Sequence, residues 1–126
     1  MPFIRVSLRS GTPAEYRTAI VTNVYEAMRD TFNVPKDDFF AVVHEHGDGQ
    51  FFYDPHYFNI ARSDKLVLIQ LTVTNSRNVA QRQALYRRIV ERLAESPGLR
   101  PQDVFINLVE VAKENWSFGN GEAQYV

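Results

Sequence analysis

No cysteine occurs in the 126 residues. That removes disulfides, thiolate nucleophiles and cysteine-ligated zinc. It also argues against secretion, because small secreted domains usually lean on disulfides. There is no apolar run of transmembrane length and no signal-peptide pattern, so a soluble, cytoplasmic protein without a membrane partner is expected. Charge is nearly absent as a net quantity: 14 Lys and Arg against 15 Asp and Glu give −1 at pH 7. A balance of this kind offers no footing for nucleic acid. No G-x-S-x-G, glycine-rich phosphate loop or Ser/His/Asp set is present. What remains is an ordinary globular composition, 44% hydrophobic and 23% charged, expected to form a single domain over 1–126.

The chain reads as two similar halves. At an offset of 65 positions, PFIRVSLRS at 2–10 falls against VLIQLTVTN at 67–75. Arg17 meets Arg82, Ala19 meets Ala84, Val24 meets Ile89 and Glu26 meets Glu91. VPKDDFFAVVHE then lies on LRPQDVFINLVE, which pairs Asp38 with Asp103, Phe40 with Phe105 and Glu45 with Glu110. No gap is needed. Each repeat, about 2–46 and 65–111, reads strand, helix, strand. Ile4, Val6 and Leu8 alternate with Arg5, Ser7 and Arg9, the period of a half-buried strand. Ile20, Val24, Ala27 and Met28 make one helical stripe; Leu85, Ile89 and Leu93 make the other. Thr12, Pro13 and Glu15 predict a capping box at the first helix, and Asn78 with Gln81 predicts the start of the second. A helix between two strands implies a parallel crossover. The expected fold is therefore α+β, a tandem β-α-β repeat forming a four-stranded sheet with two helices on one face. The other face would be covered by further subunits. Phe40 and Phe105 repeat one another and are read as core.

Two segments stand outside these repeats. The connecting loop 47–64 carries Phe51, Phe52, Tyr53, Tyr57 and Phe58, too aromatic for a flexible linker. The tail 112–126 sets Trp116 and Phe118 beside glycines. Packing and pocket lining are both open to each segment. His44 and His46 would share a strand face, with His56 near, but Val109 and Val111 occupy the equivalent places in the second repeat, and no metal is expected.

Pro2 stands directly before the first strand. A proline is tolerated there because a strand's first residue can lack an amide hydrogen. It is also small enough to permit removal of Met1, which leaves a free secondary amine. In an apolar pocket such an amine is held neutral and acts as a general base. Beside a carboxylate it stays cationic and acts as an acid, and it can also attack a carbonyl.

Pro2, the gapless repeat, VPKDDFF, SDKLVLIQLT, QALYRRI and NWSFGNGEAQY together resemble the tautomerase superfamily, closest to its malonate semialdehyde decarboxylase group. The resemblance covers almost the whole chain. It implies a homotrimer, with Pro2 as the cofactor-independent catalytic residue. It also implies that Asp38 sits by Pro2 in catalysis, leaving Asp37 solvated. The group carries two arginines just past the third strand. Arg77 matches the second, while Asn75 stands where the first belongs. Arg77 suits a substrate carboxylate through its planar fork, while Asn75 can orient a carbonyl or carboxylate without charge; either Arg77 suffices, or another arginine such as Arg9 or Arg62 reaches in, or the substrate differs. Trp116 and Phe118 are implied as an apolar wall that desolvates Pro2. The function implied is a keto–enol tautomerase, a malonate-semialdehyde-decarboxylase-like lyase, or both, acting on a small carboxylate-bearing oxoacid or its enol. The alternatives are hydration of an unsaturated 3-carbon acid and a non-catalytic oligomeric binding protein on the same fold. A ferredoxin-like regulatory domain also uses split βαβ halves, but explains neither Pro2 nor the close tandem match.

Overall fold

A computed structural model describes residues 2–126. The two halves form β1 (Pro2–Arg9), α1 (Ala14–Phe32) and β2 (Ala41–His46), then β3 (Val67–Thr74), α2 (Val79–Glu95) and β4 (Val104–Val111). The sheet order is β2-β1-β3-β4. Within each half the strands run parallel, β1 with β2 and β3 with β4. The two halves meet through the antiparallel pair β1–β3, in which Pro2 lies opposite Val73 and Ile4 opposite Leu71.

Alternation along the strands decides the two sheet faces. Ile4, Val6, Leu8, Ile69, Leu71 and Val73 point to one face and are buried beneath the helices. They meet Ile20, Val24 and Met28 of α1 and Leu85, Ile89 and Leu93 of α2 in one cluster. Burying each such side chain is worth about 1.5–3 kcal/mol. The helices are also tied side by side. Arg88 Nε donates to Asp30 at 2.8 Å, and Arg92 Nε donates to the Asn23 amide oxygen at 3.1 Å.

The capping box of α2 is present: the Gln81 amide donates to the Asn78 side chain at 2.8 Å, and the Asn78 amide donates to the Gln81 side chain at 3.0 Å. That of α1 is not. Its N-cap is Pro13, without a side-chain hydrogen bond. Thr12 instead takes hydrogen bonds from Arg17 on its carbonyl and hydroxyl oxygens, so its hydroxyl is spent one turn away from the helix end.

Phe40 and Phe105 are not in the subunit core; they are 51% and 46% exposed. Phe105 is paired with Leu68, an outward position of β3, so the register turns it away from the helices. Val42, Phe105 and Val109 thus leave the helix-free face apolar and open. No helix among the described residues is long and apolar enough to cross a membrane.

Asp103 is 1% exposed, yet it is fully engaged. It accepts from the Ser63 amide and hydroxyl, both at 2.7 Å, and pairs with Arg100 Nε at 3.2 Å. The aspartate thereby fastens the end of the connecting loop to the start of β4. Asp103→Ala removes the Arg100 ion pair and leaves the Ser63 amide unpaired. Urea unfolding is expected to show a loss of about 1–3 kcal/mol, and an unchanged midpoint would refute this fastening role.

Candidate active site

Four chain segments converge at one end of the sheet, each for a reason set by strand pairing. β1 begins there with Pro2, which is buried. The segment entering β2 arrives because the Ile4 amide donates to the Phe40 carbonyl at 2.9 Å, which also brings in Asp38. β3 ends there, since Val73 is opposite Pro2. β4 ends there too, because Val111 pairs with Thr74, and the tail follows. Between them lies a cleft of about 250 Å³, lined by Pro2, Phe3, Phe40, Trp116, Ser117 and Phe118.

The tail is held in place by specific contacts. Trp116 Nε1 donates to the buried Thr74 hydroxyl at 3.1 Å. The Trp116 and Phe118 rings stack, with centroids 5.6 Å apart and planes 17° from parallel. Gln124 closes the glycine-bearing loop. Its side-chain oxygen accepts from the Phe118 amide, and its nitrogen donates to the Gly119 carbonyl, both at 2.9 Å. This brings Tyr125 edge-on to Phe118 at 5.0 Å.

The charged candidates have distinct environments. Asp38 is half-buried, and burial pushes its carboxyl above the ordinary value. Arg77 is half-buried rather than freely solvated. Its guanidinium donates to the Phe32 carbonyl at 2.5 Å and lies 4.9 Å from the centre of the Phe32 ring. Phe32 is the last residue of α1, so Arg77 places its charge at the negative end of that helix. Burial also raises the Tyr125 phenol; the Asp38 charge adds to the rise and Arg77 opposes it. The tyrosine hydroxyl therefore feels both charges. Asn75 is exposed, and its backbone amide donates to the Val111 carbonyl at 2.9 Å.

Several expectations need correction. Arg62 is no substitute anchor: it donates to the carbonyls of Asp54, Tyr57 and Ile60 and so folds the connecting loop on itself. Arg9 ends β1 and lies at the far end of the sheet from Pro2, seven residues or roughly 23 Å along the strand. The connecting loop supplies no wall of the Pro2 cleft in its own chain. Removal of Met1 concerns a residue outside the described ones. Phe3, Phe40, Ser117 and Tyr125 were not singled out as site residues. Only the aromatic richness of the tail pointed toward Tyr125. Among the described residues no group of three or more His, Asp or Glu is placed to hold a metal ion.

A doubled βαβ sheet with a small aromatic cleft at one end defines the class as the tautomerase-type α+β fold. The chain belongs to the tautomerase family. Models described as tautomerase enzyme match residues 38–119 and 2–61. A probable tautomerase, YusQ of Bacillus subtilis, is 40% identical over all of this chain and 99% of its own. Two malonate semialdehyde decarboxylase structures superpose with a TM-score of 0.91, at 27% and 32% identity, over 98% of this chain and 95% and 93% of theirs. The second is the FG41 enzyme inhibited by 3-bromopropiolate. A fused 4-OT protein, a symmetric trimer, shares the fold with a TM-score of 0.78 at 18% identity, over 95% of this chain and 94% of its own.

The Asp38 shift has a defined sign. A carboxyl raised in the folded state adds stability only while protonated. That contribution is complete below the ordinary value of 3.8 and is lost as pH rises through the raised value. The stability of the wild type relative to Asp38→Asn is therefore expected to fall as pH rises above the ordinary value of 3.8 in urea titrations. A difference independent of pH would contradict the burial of Asp38.

Proposed function

We propose that Pro2, freed by removal of Met1, is the acid–base catalyst of a cofactor-independent reaction on a small oxoacid or its enol. The observation that carries this reading is the place of Pro2: buried at the floor of a cleft walled by Phe3, Phe40, Trp116 and Phe118. Apolar walls disfavour a charged amine and favour the neutral base. In keto–enol tautomerisation the neutral prolyl nitrogen takes the proton from the enol oxygen. The enolate collapses to the ketone as its carbon is protonated, and the amine returns to its starting state. Asp38 tunes the charge on Pro2, and Arg77 holds the substrate carboxylate, with Asn75 and the Tyr125 hydroxyl as neutral hydrogen-bonding partners. Trp116 and Phe118 exclude water.

Similarity to the two decarboxylases supports a second use of the same cleft. A cationic Pro2 beside Asp38 would polarise the carbonyl of a 3-oxoacid while the carbon–carbon bond to the carboxylate breaks and carbon dioxide leaves. The resulting enolate then takes a proton. The open apolar sheet face and the trimeric 4-OT relative support assembly as a homotrimer.

The test is ketonisation of an arylpyruvate enol. Intact mass is expected to show a chain lacking Met1. Pro2→Ala is expected to lower kcat/KM by about 10²-fold or more. A retained Met1, or a rate unaltered in Pro2→Ala, favours a binding protein over an enzyme.

A further inference from the structure

The antiparallel centre of the sheet gives the Pro2 cleft a counterpart at the opposite end. At the repeat offset, Val67 stands for Pro2 and Asp103 for Asp38. The correspondence runs beyond the strands: Phe51 and Tyr53 stand for Trp116 and Phe118, and their rings also touch, with centroids 6.0 Å apart. This end retains no acid–base machinery of the first kind. Val67 carries no amine, and Asp103 is committed to Ser63 and Arg100. Yet a cleft of about 510 Å³ remains between the end of β1, the start of α1, the end of β2 and the approach to β3.

Its polar lining is not self-satisfied. Arg9 and Lys65 bring two positive charges to the cleft, and among the described residues neither makes an ion pair. Ser10 adds a hydroxyl, and no side chain caps the adjoining start of α1. His46 lines the same cleft, and its Nε2 is shielded from solvent with no hydrogen-bond partner. A buried polar atom left unpaired is uncommon and marks a place where a ligand or water belongs. Asp48 and Asp64 also face the cleft without an ion pair, so a bare dianion would be repelled. They suit a ligand that carries a hydrogen-bond donor alongside its carboxylate.

We propose that this second cleft is a non-catalytic binding site for a small carboxylic acid bearing a hydroxyl or ammonium group, its carboxylate held by Arg9 and Lys65. The site acts without chemistry and stands independently of the activity assigned to Pro2. Arg9 and Lys65 are exposed, so replacing them leaves the core intact.

The experiment is a 15N NMR titration of the whole protein with 3-hydroxypropanoate, with β-alanine as the ammonium-bearing probe and propanoate as the control lacking a donor. Saturable shifts are expected at the amides of Ser10, Gly11, Thr12 and Lys65 for at least one of the two donor-bearing probes, and weaker binding for propanoate. Arg9→Ala and Lys65→Gln are each expected to weaken that binding at least tenfold, while ketonisation of an arylpyruvate enol stays at the wild-type rate. Shifts confined to Phe3, Trp116 and Phe118 would overturn the proposal. So would shifts at Ser10–Thr12 that persist unchanged in both variants, or that never saturate.

Discussion

The antiparallel pairing of β1 with β3 is the constraint on which the rest of the molecule depends. It is the only strand contact between the halves among the described residues. Because Pro2 lies opposite Val73, the start of the first strand is set beside the end of the third. Parallel pairing within each half then carries the entrance to β2 and the exit from β4 to the same place. A slip of one residue would turn every inward side chain outward, exposing Ile4, Val6 and Leu8. The buried stripe therefore fixes the register, and the register assembles the cleft.

Duplication explains both the economy of the fold and the divergence of its two ends. Asp38 and Asp103 hold the same place in their repeats but have opposite fates. Asp103 is locked by two hydrogen bonds from Ser63 and the Arg100 ion pair. Asp38 stays half-buried, raised by burial, within the field felt by Tyr125. One aspartate serves the architecture; the other is the one the proposed function draws on. The aromatic pairs diverge likewise: Trp116 and Phe118 stack and wall in Pro2, whereas Phe51 and Tyr53 meet at a tilt at the far end.

Local signals carried most of the fold. Alternation in PFIRVSLR, the helical stripes and the gapless offset were enough for the order of strands and helices. Asn78 and Gln81 were readable because a capping box is a contact between neighbours in sequence. Thr12 was not, because Arg17 competes for its hydroxyl, which no helix-start pattern reveals. Phe40 and Phe105 looked like core because aromatic type was legible and sheet face was not. The site residues were legible only in part. Pro2, Trp116 and Phe118 meet as expected, but Arg77 is also engaged with the end of α1, and Tyr125 reaches the site through a loop closed by Gln124. Those placements depend on contacts between segments far apart in sequence, which spacing along the chain does not encode.

In the proposed reaction the charge of the Pro2 amine is set by two opposed neighbours, aromatic walls that favour the neutral form and an aspartate that favours the cation. Titration of the Pro2 nitrogen in protein labelled with 15N-proline reads that balance directly. The account predicts a single titrating secondary amine, with a midpoint below the ordinary α-amino range of about 7.7–8.0. An amine still charged above about pH 9 would contradict the general-base assignment, and a Pro2 nitrogen that does not titrate at all would contradict the catalytic role itself.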